Sequence, residues 1–161
     1  MSKPSLNELM NTLPQVGSVE WIGIRPERRA ALQEVQEVKV TIEGGLEGDH
    51  YAGKREKKRQ ITLIQGEHLD LVSSVMKKDV HPEDTRRNLV IRGINLLSLK
   101  EKQFTIGDVV LEMTGLCHPC SRMEENLGPG GYNAMRGHGG INARVIQGGT
   151  IKAGDAVKML A

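Results

Sequence analysis

The stretch Phe104-Thr105-Ile106-Gly107-Asp108-Val109-Val110-Leu111-Glu112-Met113 gives the clearest indication of the fold. Aliphatic and β-branched residues dominate it, which is typical of a strand, and Gly107-Asp108 near its start is a turn-forming pair. A similar sequence, Ala153-Gly154-Asp155-Ala156-Val157, occurs near the C-terminus. We interpret the two as the same turn used twice between short strands, rather than as a long internal repeat.

Short apolar runs elsewhere in the chain predict further strands, at residues 16–24, 35–42, 60–64, 86–93, 143–146 and 156–160. Leu69, Val72 and Met76 lie at helical spacing within residues 66–78, and Pro14 ends a shorter helical segment at the N-terminus. The sequence therefore predicts a mainly β, barrel-like fold with one main helix and short accessory helices. We expect one domain over residues 1–161, with a core of about 16–160 and an N-terminal helical flap at 1–14.

The composition sets limits on the class of protein. The 161 residues are enough to bury a core, and the 19 glycines suit tight turns between strands. The formal net charge of +2 gives no strong field, so it neither requires nor excludes an anionic ligand. No apolar stretch approaches the roughly 20 residues of a membrane span, and the N-terminus lacks the apolar core of a secretory signal. We expect a cytoplasmic protein with reduced cysteines and with no membrane or nucleic-acid partner.

Both cysteines of the chain lie in Leu116-Cys117-His118-Pro119-Cys120-Ser121-Arg122. A thiolate at the end of a strand, beside arginines and glycine-rich backbone, is suited to hold a soft metal or to carry sulfur. The alternative is that both cysteines are small buried hydrophobic residues. A zinc site built from Cys117, His118, Cys120 and His138 is disfavoured because a second clear ligand pair is missing. A thioredoxin-type motif needs its cysteines at a helix start within a βαβ unit, and we predict neither here.

Asp49 and His50 lie in a glycine-rich loop, residues 44–53. A histidine titrates near neutral pH and an aspartate can orient it, so the pair could bind a metal or transfer a proton. The alternative is a turn in which Asp49 accepts hydrogen bonds from backbone N–H groups.

Arg86, Arg87 and Asn88 stand together at the start of a predicted strand. Guanidinium groups pair with phosphate and an amide can bind a ring edge, so the trio suits a phosphorylated heterocycle or forms a solvated strand end. Residues 128–140 combine six glycines with Arg136 and His138, which suits either an anion-binding nest of backbone N–H groups or a mobile lid. This tract matches neither a P-loop nor a dinucleotide fingerprint.

Seven motifs follow one another in an order that resembles a known family. They are Gly45-Leu46-Glu47-Gly48-Asp49-His50, Gln60-Ile61-Thr62-Leu63, Arg87-Asn88-Leu89-Val90, Phe104-Thr105-Ile106-Gly107-Asp108, Pro119-Cys120, Gly139-Gly140-Ile141-Asn142-Ala143-Arg144-Val145 and Ile151-Lys152-Ala153-Gly154-Asp155. In this order they resemble the MOSC domain, the fold named after the C-terminal part of molybdenum cofactor sulfurases. The likeness extends from about residue 16 to residue 160 and is closest to small stand-alone bacterial members.

The resemblance implies a barrel-like fold with one essential cysteine, and Cys120 is the cysteine that aligns. Family members use it to hold the molybdenum of a pterin cofactor, or are proposed to carry sulfur for metal–sulfur centres. Some relatives reduce N-hydroxylated compounds such as amidoximes and hydroxylated bases. By the same matching, Arg86, Arg87 and Asn88 fall where relatives bind the phosphate and the pterin, and Thr62 falls near that pocket.

We therefore expect an oxidoreductase or sulfur transferase in which Cys120 ligates molybdenum and His138 or His50 donates a proton. Reduction would require electrons from a separate flavin or haem protein, because the sequence has no nicotinamide or flavin motif. The alternative is a non-enzymatic sulfur or cofactor carrier that bears a persulfide on Cys120 and docks on a partner enzyme. Cys117 either resolves a persulfide or disulfide on Cys120 or is a packing residue. Pyridoxal phosphate, which is tied to some larger relatives, is not assigned because no lysine motif supports it.

Overall fold

The structure of the protein is a computed structural model that describes residues 2–50 and 57–160. Within these residues the strands are β1 (Gly17–Ile24), β2 (Gln33–Glu34), β3 (Glu37–Thr41), β4 (Gly45–Leu46), β5 (Ile61–Gln65), β6 (Leu89–Arg92), β7 (Gln103–Ile106), β8 (Val109–Leu116), β9 (Ile141–Gln147), β10 (Gly149–Lys152) and β11 (Ala156–Met159). The α-helices are α1 (Leu6–Met10), α2 (Gly66–Met76), α3 (Ser121–Leu127) and α4 (Gly131–Met135), and 3-10 turns cover Pro82–Thr85 and Leu96–Leu99.

Seven of the strands in the described part of the chain close into a barrel, which confirms the predicted mainly β, barrel-like fold. Their order around the barrel is β1-β11-β7-β8-β9-β5-β6, and β6 pairs again with β1. Gly17 of β1 stands opposite Val157 of β11, so the last strand closes the barrel against the first. β5 and β6 are parallel, with α2 between them in the chain, and the other barrel neighbours are antiparallel. Closure leaves the barrel strands without unpaired edges.

A small sheet of β10, β3 and β4 lies outside this barrel, and β2 pairs with the end of β1. In the small sheet Ile151 pairs with Val38, and Val40 pairs with Leu46. All four of these side chains are buried in the same cluster as the barrel interior. The small sheet therefore covers one opening of the main core rather than forming a core of its own.

Alternation along the strands decides which side chains enter the barrel. In β5, Leu63 packs in the interior cluster, while its neighbour Ile64 belongs to a second cluster outside the barrel. In β6, Leu89 packs inside and Val90 outside. The second cluster gathers the apolar faces of the helices: Leu69, Val72, Val80, Met123, Leu127 and Met135. The helices are thus held on the outer face of β5 and β6, next to the residues that precede β6.

The predicted strand over residues 104–113 is wrong in one respect, because it is a hairpin of β7 and β8. Gly107 and Asp108 form a two-residue turn, and Gly107 has φ +56°, a conformation that glycine adopts without steric cost. The second Gly-Asp turn likewise precedes β11, and the connection before it contains β10, which was not predicted.

The predicted strand over residues 86–93 begins later than expected. Arg86 has a left-handed φ of 60° that ends the 3-10 turn, and pairing starts only at Leu89. Arg86 and its two successors therefore belong to a turn, where their side chains are not constrained to alternate between two faces of a sheet.

The main helix agrees with its prediction within two residues, since α2 ends at Met76 and Lys77 adopts the left-handed conformation typical of a helix end. The glycine-rich tract at 128–140 was expected to be a nest or a lid, but Gly131–Met135 forms α4 within it. α1 has no buried residue. None of the helices in the described ranges is long and apolar enough to cross a membrane.

Candidate functional site

A concave pocket of about 420 Å³ is built around the turn that follows β8. Its walls come from the segments after β1, before β5, before β6 and after β8, together with β5 and β9 themselves. Both cysteines line it, as do Thr62 and Asn142. Among the described residues its cationic lining consists of Arg25, Arg28, Arg29, Arg59, Arg86, Arg87 and Arg122, with His50 and His118 beside them. We call this site the arginine pocket.

The arginine pocket is strongly electropositive, because no carboxylate from the described residues lines it. The guanidinium groups also act on one another. Burial lowers the pKa of Arg86, and the positive charges of Arg25 and Arg122 lower it further. A concave surface with convergent guanidinium groups binds anions such as phosphate or carboxylate.

Arg87 is the buried member of the set, with 5% of its surface exposed. Its Nε donates to the carbonyl oxygen of Gly139 at 2.7 Å, and its Nη1 donates to that of Thr85 at 3.0 Å. Its Nη2 donates to the carbonyl oxygens of Cys117 and His118, both at 3.2 Å. Four carbonyls from three segments therefore surround one guanidinium, which uses the fixed fork of arginine donors.

This geometry assigns Arg87 a positioning role for the cysteine turn. Burial lowers its pKa, and Cys117 and Cys120 counteract that effect. Because its donors are directed at main-chain carbonyls, Arg87 supplies charge to the pocket rather than free hydrogen-bond donors. Arg86, which is half-buried and lines the pocket, presents its guanidinium without such constraints.

The two cysteines lie in different environments. Cys117 is 7% exposed, and burial raises the pKa of its thiol against the opposing effect of Arg87. Cys120 is exposed and is the N-cap residue of α3. A buried, protonated thiol is a packing group, whereas an exposed one is available to a ligand. Cys117 thus fits the interpretation as a buried packing residue, and Cys120 fits the interpretation as an accessible thiol.

The prediction that the cysteines do not stand at a helix start is wrong, because α3 begins directly after Cys120. That helix was not predicted. β8 and β9 on either side of it are antiparallel, so the surroundings still differ from a βαβ unit.

Asn88 and Thr62 form a reciprocal pair that joins β5 to the turn before β6. The Asn88 Oδ1 accepts from the backbone N–H and from the hydroxyl of Thr62, both at 3.1 Å, and the Asn88 N–H donates to Thr62 Oγ1 at 3.0 Å. The Asn88 Nδ2 donates to the carbonyl of Gly23 at 3.1 Å. Asn88 is 2% exposed and does not line the arginine pocket, whereas Thr62 does. The Asn88 amide therefore shapes the pocket wall and does not present a free edge to a ligand.

Asp49 has the turn role that was considered as the alternative. Its side chain is 1% exposed, and its Oδ1 accepts from the backbone N–H of Arg25 at 2.8 Å. Burial raises the pKa of Asp49, while the hydrogen bond and the charge of Arg25 oppose this. The next residue, His50, is exposed and lines the pocket, so the loop places its histidine at the site. Residues 51–53 of the predicted loop lie outside the described residues.

His138 is placed apart from the pocket lining. Its ring packs edge-on against His68 of α2, with 4.8 Å between the ring centroids. Its Nδ1 is buried and has no hydrogen-bond partner among the described residues. His138 is connected to the cysteine turn through the backbone, because the next residue, Gly139, accepts from Arg87.

No group of three or more histidine, cysteine or acidic side chains converges as a metal site within residues 2–50 and 57–160. The four residues considered for zinc do not come together at one place. Cys117, His118 and Cys120 line the pocket, whereas His138 does not. A larger open groove of about 1080 Å³ lies between the small sheet and the β7–β8 turn. Four carboxylates and two lysines line that groove, so its lining is net acidic, in contrast to the arginine pocket.

The sequence prediction missed most of the arginines. Arg25, Arg28, Arg29, Arg59 and Arg122 were not predicted to be site residues. Each is close to the end of a strand or the start of a helix, which is the one feature that could have identified them. Their convergence depends on which ends meet when the barrel closes.

The fold and the site define a closed β-barrel protein with an electropositive pocket that an exposed cysteine lines. The chain belongs to the MOSC domain family, whose sequence profile matches residues 42–158. No protein with a curated description matches the chain significantly.

Solved structures share this fold. The YuaD protein from Bacillus subtilis has a TM-score of 0.77 and 21% identity, with 92% of this chain and 98% of that chain covered. YiiM from Geobacillus stearothermophilus has a TM-score of 0.73 and 15% identity, covering 90% and 75%. YiiM from Escherichia coli has a TM-score of 0.67 and 18% identity, covering 89% and 70%. At these identities the likeness shows the fold alone.

Proposed function

We propose that this MOSC protein binds a molybdenum-pterin cofactor in the arginine pocket, with Cys120 as the protein ligand of the molybdenum. The observation that carries the proposal is an exposed thiol in a concave pocket that is lined by arginines and free of carboxylates among the described residues. Molybdenum favours sulfur ligands, and the cofactor's phosphate requires cationic donors.

The residues present fit such a group. A volume of about 420 Å³ lies within the range of small-molecule sites. Asn142 lines the pocket, and its Nδ2 donates to the Leu116 carbonyl at 3.2 Å, while its buried Oδ1 has no partner among the described residues. That oxygen lies buried in the pocket wall, so the Asn142 amide helps to shape the wall at the cysteine turn. Arg86 and Arg122 would hold the phosphate, and Thr62 would contribute to the wall.

The reaction we favour is reduction of N-hydroxylated compounds, with sulfur transfer as the related possibility within the same site. The bound cofactor supplies the redox centre. His50 is the proton donor we propose, because it is exposed and lines the pocket. Electrons would come from a separate flavin or haem protein.

The test is the molybdenum content of protein purified from a host that makes the cofactor, for wild type, Cys120→Ala and Cys117→Ala. We expect near-stoichiometric molybdenum in wild type, loss of it in Cys120→Ala, and retention of most of it in Cys117→Ala. Cys117→Ala is the matched control because it removes a thiol from the same turn. Full molybdenum content in Cys120→Ala would refute the proposal.

A sulfur carrier is the second candidate, and the exposure of Cys120 beside a buried Cys117 favours it. The Cys120 thiolate would attack the outer sulfur of a donor persulfide, forming Cys120–S–SH and releasing the donor thiol, with no net change in oxidation state. Intact-mass analysis after incubation with a persulfide donor tests it. An adduct of about 32 Da, one sulfur atom, that dithiothreitol removes and Cys120→Ala lacks would support this candidate. Molybdenum-free wild type without such an adduct would exclude it.

A further inference from the structure

We propose that the outer part of the arginine pocket, around Arg28 and Arg29, binds an anionic group of the substrate itself, a phosphate or a carboxylate. This inference rests on the proposed function, because it names the class of substrate that the same pocket accepts. It concerns side chains that the cofactor's phosphate does not require.

The pocket holds more positive charge than one phosphate uses. A phosphate is satisfied by about two guanidinium groups, each of which binds it through paired N–H donors. Arg86 and Arg122 are half-buried and interact electrostatically with each other, and Arg86 also interacts with Cys120. These two arginines suit the inner phosphate. Apart from the buried Arg87, four arginines remain: Arg25, which lies 3.9 Å from Asp49, and the exposed Arg28, Arg29 and Arg59. Arg28 and Arg29 are adjacent in sequence and make up most of the exposed positive charge.

Arg28 and Arg29 lack the acidic partners that other arginines of the protein have; within the pocket Arg25 lies 3.9 Å from Asp49, and Arg87 is bonded to four carbonyls. Arg92 is paired with Glu20 at 3.2 Å and with Asp70 at 2.8 Å, and Arg144 is paired with Glu112 at 2.6 Å. By contrast, within the described residues Arg28 and Arg29 make no hydrogen bond or ion pair.

Acidic residues are not scarce in the chain, which has 20 of them against 22 lysines and arginines. Their absence from this lining, within the described residues, is therefore local. Apart from Asp49, which lies behind Arg25, no described carboxylate offsets the charge of these arginines, so they repel one another and a bound anion relieves that repulsion.

The exposure of the arginines is graded across the site. Arg87 is buried, Arg25, Arg86 and Arg122 are half-buried, and Arg28, Arg29 and Arg59 are exposed. A neutral substrate would leave the exposed arginines unused. A small molecule with an anionic end can place that end at Arg28 and Arg29 while its reactive end points towards Cys120. The concave shape and the volume favour a small molecule over a polymer.

The experiment compares three probes with the same ring, namely phenyl phosphate, benzoate and benzamide, by calorimetry on molybdenum-loaded protein. We expect phenyl phosphate or benzoate to bind at least about tenfold more tightly than benzamide, with the preference weakened at about 0.5 M salt. The tighter of the two anions identifies the group. Arg28→Gln/Arg29→Gln should reduce anion affinity by about tenfold and leave benzamide unchanged.

Two further variants make the result specific. Arg136→Gln removes an exposed arginine that does not line the pocket and should not change the affinity. Arg28→Lys/Arg29→Lys keeps the charge and should restore part of the anion affinity, which a folding defect would not allow. Equal affinities for the three probes, or anion binding that is insensitive to Arg28→Gln/Arg29→Gln, would overturn the inference.

Molybdenum content, measured on the same samples, separates this inference from the proposed function. Normal molybdenum without any anion preference would refute the inference and leave the proposed function standing. If the protein is free of molybdenum but binds phenyl phosphate, and Arg28→Gln/Arg29→Gln abolishes that binding, the proposed function is refuted and the anion site stands. Anion binding that disappears once the cofactor is loaded would also refute the inference, because the cofactor would then occupy all the arginines.

Discussion

The Nη2 atom of Arg87 lies 3.2 Å from the carbonyl oxygen of Cys117, so a buried cation is tied directly to the turn that carries Cys120. The same guanidinium reaches Gly139, which follows the helical tract on the other side of the site. Arg87 thereby connects three segments that are distant in sequence. The turn that presents the exposed thiol is held by this connection.

Arg87→Lys should lower the free energy of unfolding by about 2–4 kcal/mol, because an ammonium cannot satisfy four carbonyls arranged around a planar fork. Urea unfolding measures this effect. Arg136→Lys, at an exposed position, should change stability by less than about 0.5 kcal/mol. If the two variants have the same stability, the hydrogen bonds of Arg87 are not important for the fold.

The molybdenum content of Arg87→Lys tests its positioning role separately from its effect on stability. At a temperature where the variant is fully folded, we expect reduced molybdenum content, because the turn that presents Cys120 is less constrained. Full molybdenum content in the folded variant would mean that Arg87 stabilises the barrel without positioning the thiol.

Iodoacetamide should modify Cys120 and spare Cys117 in the folded protein at neutral pH. Cys117 is buried, and burial raises the pKa of its thiol above its usual value, so little reactive thiolate is present. Peptide mass mapping after timed alkylation identifies the modified residue. In urea both cysteines should react. Equal labelling of the two cysteines without denaturant would contradict the assignment.

Gly140→Ala and Gly137→Ala should differ greatly in stability, although both glycines have positive φ values, +91° and +81°. A Cβ at Gly140 would stand 1.9 Å from the carbonyl oxygen of Leu63, whereas a Cβ at Gly137 meets nothing within 4 Å. We expect Gly137→Ala to lose about 1–2 kcal/mol from backbone strain alone. Gly140→Ala should lose more than about 4 kcal/mol or fail to fold. Similar urea midpoints for the two variants would show that the close approach at Gly140 can relax.

The stability of the protein should decrease between about pH 7 and pH 5, partly because of His68. Burial lowers the pKa of His68, the nearby His138 lowers it further, and Glu67 opposes both. A lowered pKa means that the folded state binds a proton less readily than the unfolded state. The stability is therefore complete above the usual pKa of 6.5 and is lost progressively as the pH falls from that value through the lowered pKa of the folded state.

His68→Gln should make the slope of stability against pH smaller in this range, as measured by urea midpoints at each pH. His81→Gln, at an exposed histidine, is the control and should leave the slope unchanged. An unaltered slope in His68→Gln would assign the pH dependence to other groups.

The fold class could be predicted from the sequence because it depends on local patterns. Alternating apolar residues and the two Gly-Asp turns indicated short strands, and the regular spacing in residues 66–78 indicated the main helix. The predicted elements were wrong where the local sequence pattern indicates one structure and the tertiary contacts stabilise another. Residues 104–113 look like one strand because a two-residue turn interrupts the apolar pattern so briefly. Residues 121–135 form two short helices whose apolar faces become stable only against β5 and β6.

The sequence by itself determined the barrel class and the family likeness, and it identified Cys120 as the candidate ligand, since these reside in short motifs and in the order in which they occur. Tertiary structure alone decided which arginines converge, which cysteine is buried, and that Arg87 and Asn88 serve the wall while His138 lies apart. Burial and electrostatic environment depend on segments that are distant in sequence, such as those of Arg25 and Arg122, lining one pocket. Such contacts exist only after the barrel has closed, so no local pattern could reveal that a chain of nearly balanced charge concentrates its arginines in one pocket.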